Sequence, residues 1–364
     1  MKRILLINLG SNGDCVMVTT VARQIKTDYP DCHLTWVVIS KFAGVLLGNP
    51  DVDVIWKVEP TETEKHGQEL WHSVYNMAVG NYDLIYTTQV YPNNASLFDG
   101  TIRSSLFRGY PRPITVPVVP VMRLSENEYE HVKQFAEAKQ LARYKHVILM
   151  ECTPSSGQSV VTLDKGIEIA ELLVKQCADA VVLISTHVKF ESPHERILNV
   201  GELSFRENIA LSHYCTLFIG CGSGISWLLL SDSAKKLNMV LYISRVIGIC
   251  FASLAYDLKY WNLPTDHIIE NDTVDLEEMK AVALNALGNF ESAQKRYHKE
   301  IRPAFWGCLF LIDRKNFVKG ISTFFRKTLR LYFQRNKFTV KEILSFPDLL
   351  YVLSAIGKRT LRKV

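Results

Sequence analysis

Residues Ile4–Thr20, ILLINLGSNGDCVMVTT, constrain this chain more than any other stretch. The run Ile4–Ile7 is short, unbroken and apolar, which suits a strand buried on both faces of a parallel sheet. Leu9-Gly10-Ser11-Asn12-Gly13 then turns the chain with two glycines and small polar residues. Val16, Val18, Val21, Ala22 and Ile25 follow at a spacing that fits one face of a helix. Strand, glycine loop and helix in that order make a ligand-facing corner, because backbone N–H groups and the helix start point past the strand end. Asp14, the first acidic residue of that helix, has two readings: a group that caps free N–H groups, or a general base that takes a proton from a substrate hydroxyl. The spacing Gly10-x-x-Gly13 is not the dinucleotide fingerprint and says little alone.

The same rhythm continues along the chain. Strands are expected near Ile4–Ile7, Leu34–Ile39, Val54–Val58 and Leu84–Thr87, with helices between them, which implies βαβ units and a parallel sheet. Gln89–Arg123, rich in Pro, Gly, Asn and Arg, breaks the pattern and reads as a loop edging a cleft. Ser125–Leu141 reads as a helix opened by the capping box Ser125-x-x-Glu128. Strands are expected again at His146–Glu151, Ala180–Ser185, Leu198–Val200, Leu217–Ile219 and Val240–Ile243, with a helix at Asp164–Lys175 and a long one at Val274–His298. The fold class is therefore α/β, two open domains in tandem over 1–143 and 144–313, followed by a distinct tail at 314–364.

Arg3-Ile4-Leu5-Leu6-Ile7, Gly10-Ser11-Asn12-Gly13-Asp14, Thr19-Thr20, Tyr29–Val38 and Asn49-Pro50-Asp51-Val52-Asp53-Val54-Ile55 stand in the order and spacing of a known family opening. Together they resemble glycosyltransferase family 9, the ADP-heptose:lipopolysaccharide heptosyltransferases. Asn81–Tyr86 is similar to that family's fourth strand. The resemblance implies a GT-B fold, two Rossmann-like halves facing an interdomain cleft, with the acceptor on the first and the sugar nucleotide on the second. It also implies inverting transfer with Asp14 as catalytic base, and no cofactor beyond the donor, most simply an ADP-sugar. Asn12 and Gly13 would then lie beside the acceptor.

Arg103 and Arg108 carry guanidinium forks that suit an anionic acceptor; the plainer reading is ordinary surface ion pairs. Thr153-Pro154-Ser155-Ser156-Gly157-Gln158-Ser159 follows a strand and precedes a helix, so Thr153, Ser155, Ser156 and Gln158 could hold phosphate oxygens, or form a surface turn. The resembled family has a lysine just after this loop; here the candidate is the later Lys165. Leu217–Gly224 again runs strand into glycine turn, which offers Gly222, Ser223 and Gly224 as candidate donor contacts or is a sterically required turn without ligand. It is similar to the family segment Gly-Asn-Asp-Ser-Gly-Pro-x-His, but Gly222 replaces the aspartate and Trp227 the histidine. Those departures leave open a transferase of a different sugar, for capsule or O-antigen assembly, and a non-catalytic homologue that binds sugar nucleotides.

The eight cysteines are scattered without a C-x-x-C pair, and no His/Cys/Asp cluster has metal-ligand spacing, so a reducing compartment and no metal are expected. No secretory signal is evident at the amino terminus, which points to the cytoplasm. Arg314–Val364 holds 13 basic residues against two acidic ones, net +11 within a chain total of +5, leaving −6 for residues 1–313. Phe317, Ile321, Phe324, Phe325, Leu329 and Tyr332 interleave with Lys319, Arg326, Lys327, Arg330 and Arg335. A basic amphipathic helix of this kind suits peripheral association with the anionic inner-membrane surface, where a lipid-linked or lipopolysaccharide acceptor would be met; the plainer reading is a helix packed against the body with its charges solvated. No motif supports nucleic acid as a partner.

Overall fold

The computed structural model describes residues 1–61, 68–90, 94, 101–152, 160–243 and 253–302, with isolated positions 340, 344, 349–350 and 353 beyond them. Thr153, Ser155, Ser156, Gln158 and nearly all of the basic tail lie outside the described residues.

Two all-parallel sheets form. The first orders its strands β3-β2-β1-β4, with β1 at Arg3–Ile7, β2 at His33–Ile39, β3 at Val54–Val58 and β4 at Leu84–Thr87. The second orders them β10-β9-β8-β5-β6-β7, from β5 (His146–Glu151), β6 (Ala180–Ser185), β7 (Ile197–Asn199), β8 (Leu217–Gly220), β9 (Asn238–Tyr242) and β10 (Ile268–Asn271). In each sheet the chain winds outward one way and then restarts on the other side of its first strand. The two switch points therefore fall between β1 and β4, and between β5 and β8.

The strands are unbroken apolar runs because both faces are covered. Ile4 and Leu6 point into a central cluster, whereas Leu5 and Ile7 pack on Leu70, Trp71, Val74 and Ala78 of α2 (Gln68–Ala78). Val147 and Leu149 of β5 join that same central cluster, while Ile148 and Met150 pack on α5 (Leu163–Gln176). The inner faces of both sheets thus share one core. Its middle is α1 (Asn12–Asp28), buried continuously from Cys15 to Ala22 rather than on the single face its valines suggest.

The connections cross over as well. Behind α3 (Ile102–Phe107) comes α4 (Glu126–Ala138), whose Ser125 capping box forms as read. α4 lies against α6 (Asn208–Ser212), with Glu128 ion-paired to Arg206 at 2.6 Å and His131 to Glu207 at 2.6 Å. Arg206 also donates to the carbonyls of Gly44 (2.8 Å) and Leu47 (2.9 Å) in a 3₁₀ turn, Ser40–Leu46, and just past it. Beyond α7 (Gly224–Leu228) and α8 (Leu254–Tyr260), the expected long helix is two: α9 (Leu276–Gly288) and α10 (Phe290–Tyr297). Asn289 ends one in an extended conformation, and its side chain accepts from Ser292 N to start the other. No helix among the described residues is long and apolar enough to cross a membrane.

Arg103 corrects a sequence expectation. Instead of facing an acceptor it is 1% exposed, and its Nε donates to Asp257 Oδ1 of α8 at 2.8 Å, while its guanidinium lies over the Trp227 ring at 5.2 Å. It ties the segment after the first sheet to the second. Removing one partner strands the other charge in the interior, so Asp257→Ala should cost about 3–5 kcal/mol of unfolding free energy. Urea denaturation reads this directly, and a loss within experimental error would mean the pair does not hold the two sheets together.

Candidate functional site

The carboxyl ends of strands from both sheets open onto one cavity of ≈ 640 Å³. From the first sheet come Ser11, Asn12 and Gly13 at the start of α1, and Lys41 and Phe42 in the turn after β2. From the second come Glu151 at the end of β5, Thr186 and His187 after β6, Phe205 and Asn208 near α6, and Gly224 at the start of α7.

Backbone proximity makes the junction. A Cβ on Gly13 would lie 3.4 Å from Gly224 Cα, so the two helix starts meet with no side chain between them. Gly10 turns the chain into α1 at φ +95°, and a Cβ there would lie 2.9 Å from the Phe42 ring and 3.0 Å from Cys15 Sγ. Across the first switch point Asn8 Nδ2 donates to Thr88 Oγ1 at 3.1 Å, and Leu9 N donates to Gln89 Oε1 at 3.0 Å. Across the second, the Ser223 hydroxyl donates to Glu151 Oε2.

Ser11 rather than Asp14 is the N-cap of α1, its hydroxyl accepting from Asp14 N at 3.4 Å. The Asp14 side chain stays partly exposed one residue beyond Gly13. Desolvation raises its carboxyl to about 6, partly offset by hydrogen bonds from Ser11. Glu151 is more enclosed, 7% exposed, and desolvation takes it to about 7 against the opposing effect of Ser223.

Of the residues chosen from sequence, Asn12, Gly13 and Gly224 line the cavity; Asp14 adjoins it through Gly13, and Ser223 through Glu151. Gly222 is buried beside Ser223 without lining the cavity. Lys165 turns away, its Nζ donating to Val274 O at 3.1 Å. Arg108 is not among the described lining residues, and its Nη1 donates to Ser105 Oγ at 3.3 Å. Trp227 is 5% exposed and belongs to the core. Glu207 is committed to His131 and to Ser204 N at 2.6 Å. Sequence reasoning passed over Glu151, Lys41, Phe42 and His187. Glu151 carried a signal: it is the acidic residue that ends an otherwise apolar strand just before a phosphate-loop candidate. Among the described residues no group of three or more His, Cys, Asp or Glu could hold a metal ion.

No protein-family model matches the chain, and no curated protein does. Solved structures do. The glycosyl transferase family 9 protein from Veillonella parvula DSM 2008 superposes at a TM-score of 0.52 with 13% identity, over 88% of this chain and 96% of that one. This chain has the fold of a family 9 glycosyltransferase. E. coli ADP-heptose lps heptosyltransferase II gives 0.48 at 16% identity, over 80% of this chain and 100% of the other. E. coli heptosyltransferase WaaC with ADP gives 0.45 at 13%, over 80% and 99%.

Within the family 9 fold the Gly10 turn sets where α1 begins. Gly10→Ala combines positive φ with a close contact and should cost about 1–3 kcal/mol. A fall in Tm measured by calorimetry is the expected result; an unchanged Tm would mean the turn relaxes freely.

Proposed function

We propose that this protein is a glycosyltransferase that moves a sugar from a nucleotide-sugar donor to an acceptor hydroxyl, with Asp14 as general base. The observation that supports this reading is a desolvated, partly exposed carboxyl one residue beyond Gly13, which lines the cavity where the strand ends of two parallel sheets converge. The family 9 fold supports it. In the reaction proposed, the Asp14 carboxylate takes the acceptor proton and the freed oxygen attacks the anomeric carbon from the face opposite the diphosphate. The C–O bond to the diphosphate breaks, and configuration inverts without a metal.

The finer assignment is an ADP-linked heptose or related sugar passed to a lipopolysaccharide or lipid-linked acceptor, at the inner face of a membrane that the basic tail would touch. One observation favours a donor other than ADP-heptose: Trp227, at the position of the resembled family's histidine, is packed in the core, and Gly222 offers no carboxylate. A panel of nucleotide sugars scored by nucleotide release decides between donors, and binding without release across many acceptors would favour a non-catalytic homologue.

Asp14→Asn is expected to lower kcat about 10²–10⁴-fold while leaving donor affinity nearly unchanged. A base must be deprotonated, so wild-type kcat/KM should climb with pH and level off above about 6. Full turnover by the variant would rule Asp14 out as the base.

A further inference from the structure

Glu151 stands where an anionic ligand is least expected to tolerate it. It is the last residue of β5, at the crevice between β5 and β8 where the winding of the second sheet reverses, and it lines the cavity. Ligands of open α/β sheets sit at this crevice, with phosphates drawn to the loops and helix starts around it. Oε2 receives the Ser223 hydroxyl, and among the described residues Oε1 has no partner. The titratable groups around it are few. Cys152 follows it in the chain, His187 comes from the loop after β6, Lys41 from the turn after β2, and Asp14 lies beyond the contact of Gly13 with Gly224. None of them pairs with it among the described residues, and Lys165 points elsewhere.

An ionised carboxylate beside a diphosphate sets like charges together in a partly dry cavity. A neutral carboxyl does the opposite, because its O–H is a donor. Resting on the nucleotide-sugar reading above, we propose that Glu151 is a donor-binding residue that works as the neutral acid, giving its Oε1 proton as a hydrogen bond to a phosphoryl oxygen while Ser223 holds Oε2. Burial supports this by raising the carboxyl to about 7, so the neutral form is populated at physiological pH.

The test uses the full chain with ADP-glucose and UDP-glucose as probes, whose diphosphate diesters do not titrate near neutrality, and calorimetric binding from pH 5.5 to 9. Wild-type affinity for the probe it accepts should fall about tenfold per unit above pH 7. Glu151→Gln keeps an N–H donor at the same place, so it should match wild type at pH 6 within about threefold and lose the part of the fall that belongs to Glu151. Glu151→Ala should bind at least about tenfold more weakly than Glu151→Gln at pH 6. The opposite pattern overturns the proposal: affinity that rises with pH, or Glu151→Gln binding as poorly as Glu151→Ala, would make Glu151 an ionised acceptor of sugar hydroxyls. A pH profile identical in wild type and Glu151→Gln also overturns it. Failure of both probes to bind at every pH removes the nucleotide-sugar reading and this proposal with it, whereas the other outcomes leave that reading standing.

Discussion

α1 has almost no solvent face, and the architecture follows from that constraint. A helix buried from Cys15 to Ala22 must find apolar cover on all sides, and one sheet supplies only one side. α3, α7 and the 3₁₀ turn supply the rest, so the two α/β units share a single central core. The polar groups this burial traps are answered by the connecting segment. Thr19 Oγ1 accepts from Val121 N at 2.8 Å, and Gln24 Oε1 accepts from Thr115 N at 2.7 Å and Val116 N at 3.0 Å. The same packing brings the start of α1 to the start of α7, and the cavity is the space left where those ends meet.

Much of this was readable from residue order because parallel strands buried on two faces leave a strong mark. β1 to β8 each fall within one residue of the expected runs, β9 begins two residues earlier than expected, and the Ser125 capping box is met atom for atom. What escaped the reading depended on distance or on brevity. The partner of Arg103 is 154 residues away, so a guanidinium in a polar loop could not be told from a ligand contact. β10 is only Ile268–Asn271, an apolar pair followed by acidic and amide residues, and it exists because β9 offers an edge. Asn289 looked like one more residue in a helical period, yet an amide side chain can cap the next turn instead of continuing the last.

The site shows the same division. Helix-start residues were legible because glycine loops after strands have one common use, and Asn12, Gly13 and Gly224 do line the cavity. Residues that enter from the far ends of strands were not. Glu151 ends a strand whose role as core seemed complete, while Lys41 and Phe42 lie in a turn with no motif of its own. Their place is fixed by sheet order, which sequence spacing does not encode.

The two carboxyls of the site differ in exposure, and desolvation raises both. Asp14 keeps some contact with solvent and receives Ser11, and desolvation raises its carboxyl to about 6. Glu151 sits deeper, with Ser223 alone opposing its desolvation, and its carboxyl is raised to about 7. In the function proposed, the first would take a proton and the second would give one, with the Gly13 and Gly224 contact between the two helix starts beside them. On that proposal the acceptor hydroxyl belongs beside the start of α1 and the anionic leaving group beside Glu151. The glycine contact keeps the two helix starts together, since a Cβ on Gly13 would already touch Gly224 Cα at 3.4 Å and a larger side chain would have to push into the space beside it.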